Sequence, residues 1–399
     1  MTRRKVFEGD AARYCSQDVE HLVRRLGGSF ERQRDGWVIR RCVGQLKLPS
    51  GDSLVIASKK APSAAILAWA AYADPTLRSL QNFGRLAASA EISELTAIIA
   101  KLFLDEVLQV ASRNGLVRSY QRVHLSSSTV RGAIDFSKLV RQGGNLSRIP
   151  CVVWERLSDT PLNRILAKAI DSLRRVPGIL ASCGPQLGQV RAMFDGVRHG
   201  VDPALLDGKK ALSRSQAPFE GALALARLIL RSTGILQGQE ELGLAFLINL
   251  EELFERAVAT AFKENNLSSA AKVPVRYRVG ASFESSRRQS MEMDVFVQDF
   301  DGRPLVVDAK YKKQVSSGNL QQMVTYCFLT GAHRAVLVFP QGNLTSENAY
   351  YFDGPSGDRI RVDVAELRTD SNNLRDWRRA GAELVLDCGE EDEFKQTAL

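Results

Sequence analysis

Hydrophobic and polar positions change their period several times along the 399 residues. Near the N-terminus, "GWVIRRCVGQLKL" and "SLVIAS" are short runs of alternating character separated by the turn signal "PSGD", and they predict strands. Two helical stretches follow. "APSAAILAWAAYADP" is Ala-rich and stopped by Pro75, and "EISELTAIIAKLFLDEVLQVASRNG" carries an apolar stripe that Asn114-Gly115 ends. From about residue 116 to 240 the pattern is mostly helical, with one extended passage, "RIPCVVWERL". "SDTPLNRILAKAIDSLRRVPG" marks its own boundaries: Asp159 or Thr160 caps it, Pro161 suits the first helical position, and Pro177-Gly178 terminates it. The turn-rich passage "GVRHGVDPALLDGKKALSRSQAP" is the best linker candidate in this half.

From residue 240 the pattern becomes helix, three strands, helix, strand. "EELGLAFLINLEELFERAVATAFKEN" places Phe246, Leu250, Leu253, Phe254, Ala257, Val258 and Ala261 on one broad apolar face, with Glu251 and Glu255 four apart beside it. "VPVRYRVG" follows, then "MEMDVFVQ" and "PLVVDAKYKK" joined by "DFDGR", then "NLQQMVTYCFLTG" and "RAVLVFP", and the tail adds "DRIRVDVAEL" and an acidic end. Strands flanked by helices predict an α/β unit with a mixed central sheet. The expected division is a small β unit plus helices over 1–115, a mostly helical middle over 116–240, and the α/β unit over 241–399.

Charge and composition narrow the function. Fifty-four Lys and Arg against 45 Asp and Glu give a net charge of +9, which favours an anionic partner, nucleic acid foremost. Cys15, Cys42, Cys151, Cys183, Cys327 and Cys388 are scattered without zinc spacing and read as reduced thiols of a cytoplasmic protein. The longest apolar stretch, "AAILAWAAYA", is far short of the roughly 18 residues of a membrane span. "MTRRKVFEGD" has no apolar segment behind its basic residues, so a secretory leader is not expected. The four histidines are isolated, which leaves no Ser/His/Asp or Cys/His arrangement to argue from.

One constellation stands out. The strands that contain Asp294 and Asp308 are joined by a turn containing Asp301-Gly302, and a hairpin closing around residue 301 sets the two acids opposite each other, their Cβ atoms about 5 Å apart. Carboxylates at that separation repel unless a cation sits between them, and a divalent metal takes such hard oxygen ligands. Lys310 shares the face of Asp308, where an ammonium can hold an attacking water or neutralise a pentacovalent phosphorane. Read alone, Asp308 and Lys310 are equally a strand-end salt bridge. Asp294 adds weight, because a charge in an apolar strand is costly without a purpose. Glu255, on the preceding helix, is a candidate to reach the same metal or its water. Gln322, on the following helix, is a candidate to position the nucleophile or a phosphate; with Tyr326 it is equally a half-buried packing pair. Arg287 and Arg288, with Lys312 and Lys313, are candidate DNA phosphate contacts, though each alone also reads as a solvated loop charge.

These residues carry a resemblance. "MEMDVFVQDFDGRPLVVDAKYK" resembles the PD-(D/E)xK nuclease motif, and the longer likeness is to the McrC family, the nuclease subunits of McrBC modified-cytosine restriction systems. "GLVRSYQRVHLSSSTVRGAIDF" is similar to that family's segment ending in Arg-Gly-x-Ile/Leu-Asp, "CVVWERLSDTPLNRILAKAI" to its Asp-Thr-x-Leu-Asn-Arg helix start, and "FLINLEELFERAV" to its Asn-x-x-x-Leu-Phe-Glu helix. The resemblance implies a PD-(D/E)xK domain in which Asp294, Asp308 and the Ala309 carbonyl hold Mg²⁺ or Mn²⁺, Lys310 is the catalytic lysine and Glu255 the acid of the first core helix. The family's usual Pro before the first Asp is Met293 here, and in "NLQQM" Asn319 and Gln321 stand where the family often has an acid and an aromatic. The chain has no GxxxxGK[ST] phosphate loop. By the resemblance, GTP enters only through a partner, an McrB-like AAA+ GTPase that the N-terminal region docks to and stimulates. The expected activity is Mg-dependent DNA cleavage within a modification-dependent restriction complex. A stand-alone repair nuclease, or a catalytically silent DNA-binding or adaptor subunit, is the alternative.

Overall fold

The computed structural model describes residues 3–12, 19–20, 23–24, 28–34, 36–47, 53–58, 63–74, 92–176, 178–198, 200, 202–206, 211–233, 245–265, 269–279, 287–299, 301–342, 347–354, 359–371 and 373–389. The "PSGD" turn, Cys15, Pro75, Pro177, the acidic tail and the side chains of Arg287 and Arg288 lie outside the described residues and atoms. The first stretch holds β1 (Arg3–Phe7), β2 (Ala11–Ala12), β3 (Ser29–Gln33), β4 (Gly36–Arg40), β5 (Cys42–Lys47), β6 (Ser53–Ala57), α1 (Ser63–Ala73) and α2 (Ile92–Asn114). The middle holds β7 (Ser119–Ser127), β8 (Ala133–Ile134), α3 (Phe136–Arg141), β9 (Ile149–Leu157), α4 (Pro161–Arg175), α5 (Ile179–Met193), α6 (Pro203–Leu206) and α7 (Glu220–Ser232). The last stretch holds β10 (Ala245–Asn249), α8 (Leu250–Glu264), β11 (Ser269–Val279), β12 (Arg287–Gln298), β13 (Pro304–Ala309), α9 (Ser317–Thr330), β14 (Arg334–Pro340), β15 (Ala349–Asp353), β16 (Arg359–Leu367) and α10 (Leu374–Gly389).

The chain is a mixed α/β protein whose contacts group it differently from the three consecutive parts expected. One compact unit joins Met1–Ile98 to Ala245–Leu399, and the other is Ile99–Leu244. The cause is β10, which pairs antiparallel with β5 so that Phe246 meets Gln45 and Ile248 meets Val43. The sequence places "AFLIN" inside a helix; the structure makes it a strand in the order β1-β6-β5-β10. Asn249 is the reason the helix starts late, since its side chain accepts from the N–H groups of Glu251 and Glu252 and caps α8 at Leu250. Gly44 permits the pairing: its φ is 141°, and a Cβ there would collide with the Phe246 carbonyl oxygen.

A six-stranded sheet of order β11-β12-β13-β14-β16-β15 forms the rest of this unit. It is mixed, with β11, β12 and β13 antiparallel and β13, β14 and β16 parallel. Leu305 to Ala309 are all buried, which requires cover on both faces of the sheet. On α9, Met323, Tyr326 and Cys327 pack with Val306, Ala335, Leu337, Phe339 and Val362. α8 packs against β11, β12 and β13, and also against α1 and α10. There Trp69 stacks on Trp377 with ring centroids 5.7 Å apart, and Phe254 meets Trp69 edge-on at 6.0 Å. Such pairs add about 0.5–1.5 kcal/mol each beyond their buried area.

The second unit is less helical than its sequence suggests. α4 packs against α5 and α7, but "SYQRVHLSS" is a strand, β7, paired with β9 from Ser119↔Leu157 to Ser127↔Ile149, and β8 completes a three-stranded sheet. Its burial alternates with period two: Tyr120, Arg122, His124 and Ser126 are exposed while Gln121, Val123 and Leu125 are half-buried. Among the described residues no helix is long and apolar enough to cross a membrane. Cys42, Cys151, Cys183, Cys327 and Cys388 are free and buried.

Candidate active site

The hairpin between β12 and β13 aligns the two acids. Asp299 folds the turn by accepting from the N–H groups of Asp301 (3.0 Å) and Arg303 (2.7 Å). The ladder runs Gln298↔Pro304, Val297↔Leu305, Phe296↔Val306 and Val295↔Val307, and its next step sets Asp294 opposite Asp308. There the strands part. The Ala309 N–H donates to Asp294 Oδ2 at 2.9 Å, and the Lys310 N–H to the Val338 carbonyl of β14 at 2.8 Å. Asp308 therefore stands at the carboxyl end of β13 where β12 diverges, the place where open α/β sheets leave room for ligands.

The site is polar and mostly buried. Asp308 is 1% exposed and Asp294 9%. Lys310 Nζ lies 2.5 Å from Asp308 Oδ2 as an ion pair, yet that buried oxygen has no hydrogen bond of adequate geometry. A buried carboxylate oxygen without one is costly, and a bound ion is one way to satisfy it. Burial pushes the Asp308 carboxyl up; Lys310 pulls it down, Glu255 pushes it up again, a hydrogen bond with Asp294 lowers it, and the net direction is up. For Lys310, burial would lower the ammonium's pKa, but the charge of Asp308, with those of Asp294 and Tyr326, raises it. Lys310 is thus a protonated cation at neutral pH. Two carboxylates and the Ala309 carbonyl are the hard oxygen donors that suit a divalent cation. Glu255, on α8, is near enough for its charge to act on Asp308, and among the described residues no group of three or more His, Cys, Asp or Glu forms a metal cluster.

The other sequence candidates fall in different places. Gln322 Nε2 donates to the Tyr326 hydroxyl at 2.8 Å, which donates to the Glu292 carbonyl at 2.7 Å, so both side chains brace β12 two residues before Asp294. Lys312 is half-buried beside the site, its pKa lowered by burial and by the charges of Lys310 and Arg41, whereas Lys313 is exposed. Arg287 and Arg288 begin β12 opposite Val279 and Arg278. Their side chains lie outside the described atoms, and their backbone stands six and seven residues before Asp294 on the same strand. Sequence reasoning missed Arg41, which reaches Glu251 on α8 at 2.9 Å.

The motifs of the second unit turn out to shape the fold. Asp159 accepts from Arg164 Nε at 2.7 Å and from Arg198 Nε at 2.6 Å, and Thr160 caps α4. The fully buried Asn163 donates to the carbonyls of Val117 (2.8 Å) and Ser158 (2.6 Å). In "RGAID", Gly132 has φ 73° and a Cβ there would come within 2.5 Å of the Val152 carbonyl, while Asp135 caps α3 by accepting from the Lys138 N–H at 3.0 Å. Beside these, β7 and β9 leave one face open. Tyr120 and Trp154 are 71% and 68% exposed, and their cross-strand partners are Arg156 and Arg122.

The family model for the McrBC 5-methylcytosine restriction system component matches residues 38–340, about three quarters of the chain. The chain belongs to this McrBC family. Among solved structures, it is similar to a chain of the refined half-complex from the tetradecameric assembly of Thermococcus gammatolerans McrB AAA+ hexamers with bound McrC. That likeness has 18% identity and a TM-score of 0.54, and covers 95% of this chain and 99% of that one. A second likeness, to the cryo-EM structure of the Thermococcus gammatolerans McrBC complex, has 19% identity over 66% of this chain and 88% of that one, with a TM-score of 0.42. At these identities the McrBC-family chain shares a fold with the first of them, and residue roles rest on its own geometry. No curated protein matches the sequence.

Proposed function

We propose that this McrBC-family chain is the metal-dependent DNA endonuclease subunit of a modification-dependent restriction complex, with a PD-(D/E)xK site built on β12 and β13. The observation that carries the reading is the placement of Asp294 beside Asp308 at the point where their strands diverge, with Lys310 paired to Asp308. Asp294, Asp308 and the Ala309 carbonyl hold Mg²⁺ or Mn²⁺. When bound, such a cation lowers the pKa of a water and offsets charge on the reacting oxygens. The ammonium of Lys310 holds the attacking water or neutralises charge on the phosphorane, and burial strengthens that interaction. Glu255 keeps the pocket electronegative enough to favour a divalent cation, and Gln322 acts through Tyr326 to position β12.

The partner in this reading is an McrB-like AAA+ GTPase, which supplies GTP-driven translocation and whose GTPase this chain stimulates. The open face of β7 and β9 suits such a protein partner, because exposed Tyr, Trp and Arg are the residue types that anchor interfaces. The test is cleavage of modified duplex DNA with Mg²⁺ by wild type and Asp308→Ala, each with and without the motor and GTP. The expected result is cleavage by wild type in the full complex and at least about a hundredfold less by the variant. Equal cleavage by both chains would sink the site assignment. Wild-type cleavage that is indifferent to the motor favours a stand-alone nuclease, and DNA binding without cleavage favours an adaptor.

A further inference from the structure

We infer that Arg41, together with Lys312, forms a phosphate-binding edge of the candidate nuclease site, so that the N-terminal sheet supplies part of the grip on DNA. The inference rests on the nuclease reading above.

Arg41 links β4 to β5 and, among the described residues, is the one non-glycine with a positive φ, 66°. An L-residue in that conformation costs roughly 1–2 kcal/mol, and glycine would hold the same turn without strain. The backbone of the turn therefore does not itself call for arginine. What the conformation achieves is aim, and three contacts fix it. The Arg41 N–H donates to Glu8 Oε1 at 2.7 Å, the Arg41 carbonyl accepts from the Leu250 N–H at 2.9 Å, and Nη1 meets Glu251 Oε2 at 2.9 Å. Glu251 lies one helical turn before Glu255, whose charge acts on Asp308. Glu8 also takes the Tyr311 hydroxyl at 3.5 Å, so one carboxylate ties Arg41 to the residue that follows Lys310.

Through Glu8 and Tyr311, Arg41 is tied to the segment that carries Lys310 and Lys312. Lys312 is close enough to feel Lys310, Arg41, Glu251 and Asp308 at once. The Arg41 side chain is 41% exposed, and the bond from Nη1 to Glu251 leaves further guanidinium donors for another anion. A phosphodiester is the anion DNA brings, and a guanidinium fork matches two of its oxygens. Arg41 and Lys312 then take a phosphate next to the one being cut and fix the strand against Asp308 and Lys310.

The test uses the full chain with Asp308→Asn, to prevent cutting, and a short duplex DNA titrated across a range of salt. Arg41→Gly keeps the turn and removes the cation. The expected result is binding about tenfold weaker, with the slope of log affinity against log salt reduced by about 0.9. The thermal midpoint should be unchanged or raised, and Arg41→Lys should retain the slope. An unchanged slope in Arg41→Gly overturns the inference. So does a lowered midpoint matched by Glu251→Gln with the slope intact, since Arg41 would then only clamp α8. Undiminished cleavage by Asp308→Ala would instead overturn the nuclease reading, so the two failures are distinguishable.

Discussion

If Asp294 and Asp308 share a divalent cation, its binding must appear as folding stability, and Asp308→Asn must remove that gain. A ligand that binds only the folded state adds RT ln(1 + [L]/Kd), about 2.7 kcal/mol when Mg²⁺ is present at a hundred times its Kd. Asn at 308 keeps the shape of the side chain and takes away one of the two acids. Even an outer-shell partner of a metal ligand is worth about 10–100-fold in affinity, so losing a ligand carboxylate reaches or passes the upper figure. At the same Mg²⁺ concentration the gain then falls to about 0.4 kcal/mol or less. The difference, about 2.3 kcal/mol, falls on the unit that joins Met1–Ile98 to Ala245–Leu399. For a unit of that size it corresponds to roughly 4–5 °C in midpoint. The assay is thermal unfolding of wild type and variant, each with and without Mg²⁺. It reads the Mg²⁺-dependent increment, because removing Asp308 also strands the Lys310 ammonium and shifts the metal-free midpoint. Asp159→Asn, in the other unit, serves as the control that keeps the increment. An equal increment in wild type and Asp308→Asn would refute the assignment of Asp308 as a ligand, whatever happens to cleavage.

Asp159 itself gives a pH prediction. The hydrogen bonds from Arg164, then Arg198, hold its carboxyl well below the usual carboxylate range despite partial burial, so its contribution is fully present above the unfolded pKa near 3.8 and is lost as pH falls through the folded value. Asp159→Asn should cost about 2 kcal/mol in urea unfolding at pH 7 and progressively less below pH 4, and the same cost at pH 7 and pH 2 would contradict the pairing. Tyr326→Phe removes the hydroxyl that joins Gln322 to the Glu292 carbonyl, and should destabilise by about 1–2 kcal/mol and slow single-turnover cleavage with little change in KM. A change in KM alone would place Tyr326 in substrate binding instead. Trp154→Ala should leave the midpoint within the scatter of about 0.5 kcal/mol typical of surface changes and lower stimulation of the partner's GTPase at least about tenfold, whereas undiminished stimulation removes that face from the docking surface.

The carboxylate pair was legible because hairpin geometry is local. A turn at Asp301-Gly302 and a period of two are enough to set residue 294 opposite 308, and the structure continues that register. The helix α9 and the strands β13 and β14 were legible for the same reason, each carrying its period and its boundary residues within one short window. What the windows could not hold was pairing across long separations. "AFLIN" reads as helix because it runs straight into the apolar face of α8, and only its partner β5, some two hundred residues earlier, makes it a strand. β7 was missed for a different reason. Its exposed positions include Tyr120 and its half-buried ones include Gln121, so the alternation is one of exposure and not of hydrophobicity.

The same long-range pairing explains why the site is incomplete when the last third of the chain is read by itself. β5 holds β10, β10 delivers Asn249, and Asn249 caps the helix that carries Glu251 and Glu255. Arg41 and Glu8, on the turn before β5 and just after β1, then bind that helix and Tyr311. A position on α8 that acts on Asp308 is therefore set by residues from both ends of the sequence. A boundary drawn at residue 240 would separate the carboxylates from the sheet that orients their neighbours, which is why the contacts draw no boundary there between the N-terminal strands and the acids.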